Sequence, residues 1–424
     1  MHASGDREGG LPPSGSWRGS PSRTFRALHY RNFRLLWTGL AASAVGTWMQ
    51  IVAQSLLVLD LTHGSAVALG TVSLTQALSF LLFAAVGGGA ADRFDKRRLL
   101  LLTQSLMMGF AVLLGVLTAT GLVRFWMVLL VAFANSATLS FDQPARNALI
   151  ASLVPKENLM NAVSLQSAVF NGASVLGPVL AGLTLSRIGY SGNFFLNAAS
   201  YIAVLAALLL LRTPTAQGRT GPGRRLLDSV REALQYVRRD AVLPSAVSAY
   251  GALLFFGPSA ALTLPIFAKQ VLGAGPAQLG ILFSAIGGGT VIGALVIASL
   301  GDSPHKVRLV FGSVLLWAVA LAVFGFSDSL RMSIPALFVL GAAQNAAGAT
   351  TATLLQTRVP PEMRGRAMSL NTLLIMCVRP LGDFPAGAVI GRLGFRTAVL
   401  LGATLVGATV MTLLWVARPA ARSA

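Results

Sequence analysis

Twelve apolar stretches follow one another along this chain, separated by short polar breaks. A helix that crosses a bilayer needs about 20 mostly apolar residues. Stretches of that kind fall at 34–59, 66–91, 99–121, 123–147, 159–187, 191–212, 244–269, 276–301, 308–327, 331–357, 365–392 and 395–417. The second, fourth and tenth turn polar near one end, but their length still spans. The pattern predicts an all-α integral membrane protein with twelve transmembrane helices.

Composition removes the alternatives. Only 11% of the residues are charged and 54% are hydrophobic, whereas soluble domains carry about 25% charged residues. A net charge of +19 would point to nucleic acid in a soluble protein. Here the cations are strewn between apolar stretches, so the expected partner is the lipid bilayer and no nucleic acid. Cys377 is the single cysteine, and His2, His29, His63 and His305 are scattered. Neither a disulfide framework nor a metal or cofactor site is expected. Residues 1–32 open on a Gly/Ser/Pro/Arg-rich run without an apolar core, which reads as a cytoplasmic tail and not a cleaved signal.

Charge also chooses an orientation. With the N-terminus inside, 26 of the 33 lysines and arginines fall in cytoplasmic tails and loops, 6 fall outside, and Arg379 lies within a span. That bias predicts both termini in the cytoplasm.

The chain repeats itself. Pro155, Glu157, Ala162, Ser164, Leu165, Gly177, Gly182, Arg187 and Gly189 recur 205 residues later as Pro360, Glu362, Ala367, Ser369, Leu370, Gly382, Gly387, Arg392 and Gly394. Upstream the offset is 210, and Leu69, Gly70, Asp92 and Lys96 return as Leu279, Gly280, Asp302 and Lys306. Two six-helix halves in the same orientation are expected, 33–212 and 244–418, with a substrate path at their interface near the midplane. A connector, 213–243, joins them, and 419–424 is a short cytoplasmic tail. Leu226, Leu227, Val230, Leu234 and Val237 share one helical face of the connector. They predict an amphipathic helix, either resting on the cytoplasmic membrane surface or serving as a solvated link.

Several polar groups interrupt this apolar background. Arg379 falls near the bilayer centre, where an unpaired arginine costs at least about 2.5–3.5 kcal/mol. Asp383 is four residues on and can pair with it on one helix face. The two are a candidate coupling or anion-binding site, against a plain structural ion pair. Asp142 and Arg146 are also four apart, near the cytoplasmic end of the fourth span, and read as a cytoplasmic gate or structural pair. Gln50, Gln54, Asn345 and Asn371 lie within spans. They either face a cavity or bridge helices, because lipid leaves amides unsatisfied. Gly172, Gly177, Pro178 and Gly182 place small residues and a missing backbone donor along the fifth span, which permits close packing and a bend. Gly87-Gly88-Gly89 lacks the lysine-serine pair of a phosphate cradle, so no nucleotide hydrolysis and no enzyme activity are expected.

The loop Gly88…Asp92-Arg93…Lys96-Arg97-Arg98, its degenerate copy Asp302…Lys306-Val307-Arg308, and the twelve spans in two halves resemble the major facilitator superfamily from about Phe25 to Arg418. Gly172-Ala-Ser-Val-Leu-Gly177-Pro178-Val-Leu-Ala-Gly182 looks like that superfamily's exporter and antiporter motif. Phe25-Arg-Ala-Leu-His-Tyr-Arg31-Asn32-Phe33-Arg34-Leu-Leu-Trp37, Gly46-Thr47-Trp48-Met49-Gln50 and Asp142-Gln-Pro144-Ala-Arg146 are similar to the bacterial branch of enterobactin-type siderophore exporters and macrolide efflux proteins. One departure stands out: the early fourth span, Val128 to Asn135, lacks the arginine of many proton-driven drug exporters.

The resemblance implies a secondary transporter of the bacterial inner membrane. It would export a small amphiphile such as a siderophore, macrolide or other secondary metabolite by proton-coupled alternating access, as a monomer. It also implies that Gly88, Asp92, Arg93 and Lys96 form a conformational latch, with the Asp92 carboxylate facing the dipole-positive start of the eleventh helix when the cytoplasmic side is closed. The alternatives are an uptake symporter or lipid-type substrate carrier on the same fold, and a membrane receptor.

Overall fold

A computed structural model describes residues 25–211, 226–301 and 305–417. The tail before Phe25, the linker 212–225, Asp302 and the C-terminal tail lie outside the described residues, as does the side chain of Asp92. Among the described residues the chain is helical, without strands.

The first spans are α1 (Arg31–Leu61), α2 (Ala66–Arg93), α3 (Lys96–Ala119) and α4 (Phe125–Leu153). The next helix runs over Leu159–Leu210 but breaks at Gly189, which takes φ 64° and ψ −168°. The break divides it into α5 (159–188) and α6 (190–210). Gly394, the repeat partner of Gly189, takes φ 84° at the corresponding turn. Only glycine enters that region without strain, which gives a physical reason for this pair of the repeat.

The connector forms α7 (Leu226–Arg239). The seventh span is α8 (Leu243–Phe256) and α9 (Ala260–Ile266), interrupted around Pro258. Then come α10 (Pro276–Ser299), α11 (Lys306–Gly325) and α12 (Leu330–Arg358). The eleventh span is α13 (Arg364–Leu373) and α14 (Arg379–Leu393), joined by a π-helical turn at Leu374–Val378. The last span is α15 (Phe395–Ala417). All twelve expected spans are present; the fourth runs six residues further than the hydropathy implied, carrying Pro144 inside it. Leu82, Leu130, Ile202, Leu295 and Val319 each expose about 60% of their surface. Rings of exposed leucine and valine on this scale belong in lipid.

Glycine decides how closely these helices meet. α2 packs on α14, and α5 packs on α10. A Cβ on Gly70 would stand 2.8 Å from the Asp383 carbonyl oxygen, and one on Gly182 would stand 2.7 Å from that of Pro276. The repeat reproduces both contacts. Gly280 meets Pro178 and Val179, and Gly387 meets Ala66 and Val67. Each repeat thus offers the same two glycines to the same two stretches of the other, and backbones touch where side chains would hold them apart.

The connector helix docks on protein. Ala233 and Val237 are buried, Glu232 pairs with Arg366, and the Tyr236 hydroxyl donates to the Arg358 carbonyl at 3.2 Å. Part of the helix, around Ala233 and Val237, therefore packs on α13 and the end of α12.

Candidate transport site and gates

At one end of the bundle the two repeats are tied together. Asp60, at the last turn of α1, accepts from Lys269 Nζ at 2.6 Å and from the Tyr190 hydroxyl at the start of α6. Gln270 Nε2 donates to the Gly64 carbonyl at 3.2 Å. Sequence reasoning missed this cluster, because nothing along the chain links Asp60 to residues 130 and 209 positions away. Both ends of the Asp60–Lys269 pair are 46% exposed, so the pair contributes only about 0–1 kcal/mol. Asp60→Ala is expected to shift the balance away from closure at this end by up to about fivefold. Distances between labels at His63 and Leu272 measure it; an unchanged distribution would leave the glycine contacts as the sole closure.

At the opposite end the contacts thin out. Phe80 and Ala84 of α2 still pack with Cys377 and Met376, but nothing lies within 4 Å of a Cβ placed on Gly88 or Gly89. Asp92 sits on the last turn of α2, Arg93 is exposed, and Lys96 begins α3 half-buried. Asp95 caps α3 by accepting from the Arg98 amide at 2.8 Å. Arg97 donates through Nε to the Leu208 carbonyl at 2.6 Å and through Nη2 to that of Leu209 at 2.8 Å. A cation there satisfies the orphan carbonyls at the end of α6.

The glycine-proline motif is divided between two neighbours. Gly182 contacts α10, as expected for packing across the repeats, whereas Gly177 meets Trp48 and Val45 of α1, and Gly172 has open space around it. Successive glycines of the motif turn to different sides of α5, so of the three it is Gly182 that makes the close approach across the repeats. Pro178 leaves the Ser174 carbonyl without its helical donor. That carbonyl faces Gly287, and Ser284 Oγ donates to the next one, of Val175, at 2.6 Å.

Asp142 is fully buried and joins three donors: Thr103 Oγ1 at 2.9 Å, Gln104 Nε2 at 2.7 Å, and Arg146. It clamps α3 to α4.

Arg379 and Asp383 sit on α14 one turn apart, but the expected ion pair does not form. Asp383 is 2% exposed; its Oδ1 accepts from the Ser259 amide at 2.8 Å and its Oδ2 from the Ser259 hydroxyl at 2.7 Å. Ser259 caps α9. The helix break around Pro258 thus presents a helix start, with orphan donors and positive dipole, to the carboxylate. Asp383 answers that terminus, and Arg379 is left with Nη2 buried and without a hydrogen bond. The amides divide in the same way. Gln50 accepts from Asn197 and bridges α1 to α6, while Gln54 is half-buried on α1. Asn345 Oδ1 and Asn371 Oδ1 are buried without partners.

Comparisons with known proteins agree with this architecture. The family described as "Transmembrane secretion effector" matches residues 22–424. The chain is 28% identical over 380 residues to the enterobactin exporter EntS of Citrobacter koseri, covering 88% of each. It is 23% identical over 394 residues to macrolide efflux protein A of Streptococcus pyogenes, covering 89% of this chain and 95% of that one. A POT family transporter solved with 5-aminolevulinic acid superposes with a TM-score of 0.74 at 14% identity, over 92% of this chain and 96% of that one. With twelve spans, glycine-packed helix pairs joining two repeats, and a family match over residues 22–424, the chain belongs to the major facilitator superfamily of membrane transporters, in its family of transmembrane secretion effectors.

Proposed function

We propose that this protein exports a small amphiphilic molecule, such as a siderophore, macrolide or other secondary metabolite, from the bacterial cytoplasm by proton-coupled alternating access. In this reading both termini are cytoplasmic and one chain is the working unit. The Asp60 end then faces outward and is closed, and the Asp95 end faces the cytoplasm. The export names of the relatives support the direction of transport.

Asp383 carries the coupling part of the proposal. Its carboxylate is buried where three elements meet: α14, the start of α9, and α2, whose Gly70 lies against the Asp383 backbone. It is the one acidic residue found buried within the second repeat among the described residues. Ionised, it accepts two hydrogen bonds from Ser259. Protonation removes the charge that strengthens both bonds and loosens the joint beside the contact between repeats. Asp383→Asn is expected to abolish gradient-driven efflux of a labelled catecholate siderophore in everted vesicles while leaving passive exchange. Efflux still driven by the gradient would remove Asp383 from coupling.

A further inference from the structure

The second repeat holds a buried guanidinium that is not tied into an ion pair. Arg379 forms no ion pair among the described residues, and its Nη2 is buried without a hydrogen-bond partner. Asp383 is the carboxylate one turn away on the same helix, and each of its oxygens accepts from Ser259 instead of from Arg379. The backbone around Arg379 is also irregular. A π-helical turn, Leu374–Val378, runs directly into it, and Pro380 follows with no amide to give. π turns of this kind concentrate at functional sites.

Other unsatisfied groups lie on neighbouring helices. The Tyr250 hydroxyl of α8 lies against Gly348 of α12. Asn345 and Thr351 stand three residues to either side of Gly348, so they share that face of α12. Asn345 Oδ1 and Thr351 Oγ1 are buried and unpartnered, as is Asn371 Oδ1 one element before Arg379. Buried polar atoms are almost always paired. Arg379, with a buried nitrogen left unpartnered, is the cationic member of this set in the second repeat, and its free donor calls for a polar ligand.

We propose that Arg379 binds an oxyanion carried by the transported molecule, so that the cargo is an acidic amphiphile and not a neutral or basic one. This rests on the exporter reading and narrows its cargo. Guanidinium is the side chain whose forked donors fit a carboxylate or phenolate.

The test uses the purified full-length protein and two fluorescent probes, dansylamino-undecanoic acid and its methyl ester. Wild type is expected to bind the acid about tenfold or more tightly than the ester, the difference of one charge-assisted contact. Arg379→Met is expected to bind both probes alike, at the ester's affinity, and Arg379→Lys to keep part of the preference. Equal binding of acid and ester by wild type, a preference that survives in Arg379→Met, or no saturable binding of the acid would each overturn the proposal. If Arg379→Met fails to fold, the acid–ester comparison in wild type and Arg379→Lys still decides. Gradient-driven transport of the acid in vesicles separates the two readings: binding preference without transport counts against export, and transport without preference counts against the oxyanion site.

Discussion

Gly289→Val is expected to yield little folded protein, while Gly288→Ala, one position away, is tolerated. The contact between α10 and α12 is reciprocal. A Cβ on Gly289 would stand 2.8 Å from the Phe338 carbonyl carbon, and one on Gly341 would stand 2.9 Å from that of Ile286. Both obstructions are backbone, so no rotamer change relieves them and the helices must separate. Overpacking typically costs about 1–3 kcal/mol where side chains can move, and a rigid backbone pushes the cost to the upper end or past it. Separation also forfeits neighbouring contacts, because Gly293 lies against Ala342 in the same seam. Native states hold only about 5–15 kcal/mol in reserve. At Gly288 the added Cβ meets only the edge of the Phe338 ring, at 3.5 Å, an ordinary contact. The monodisperse fraction after solubilisation and the unfolding midpoint measure the difference. Equal recovery of both variants would mean that α10 and α12 do not pack this closely.

Asp142→Ala ranks next. Removing that carboxylate strands a guanidinium, a hydroxyl and an amide that now converge on it. Breaking a buried pair by deleting one partner costs about 3–5 kcal/mol. Asp142→Asn, which keeps the shape and one acceptor, is expected to lose less. Asp142→Ala combined with Arg146→Met is expected to recover part of the loss, since it removes the stranded charge as well. Thermal unfolding of wild type, Asp142→Ala, Arg146→Met and the double variant completes a double-mutant cycle. A loss from Asp142→Ala below about 1 kcal/mol would show that the cluster is not a clamp. Transport falling far more than stability would instead make it a working gate.

The chain alone determined the elements and their pairing by repeat. Twelve spans were legible because lipid demands a continuous run of apolar residues, so hydropathy is close to a direct readout of span number. The repeat was legible because glycine has functions no other residue replaces. Gly189 and Gly394 mark equivalent left-handed turns, and Gly182 and Gly387 mark equivalent close approaches. What a sequence cannot carry is which partner a polar group selects. Spacing placed Asp383 within reach of Arg379, and that spacing is realised in α14. Yet the break around Pro258 brings a helix start to the same carboxylate from 124 residues away, and two directed donors there take both oxygens. Arg97 likewise looked like one more cytoplasmic cation until the end of α6 was seen to stand over it. Asp60 was an unremarked acid until Tyr190 and Lys269 met it across the bundle. Hydropathy and small-residue spacing are properties of one helix and survive in one dimension. Hydrogen bonding at the joints depends on where the helices end relative to one another, and only the packed bundle sets that.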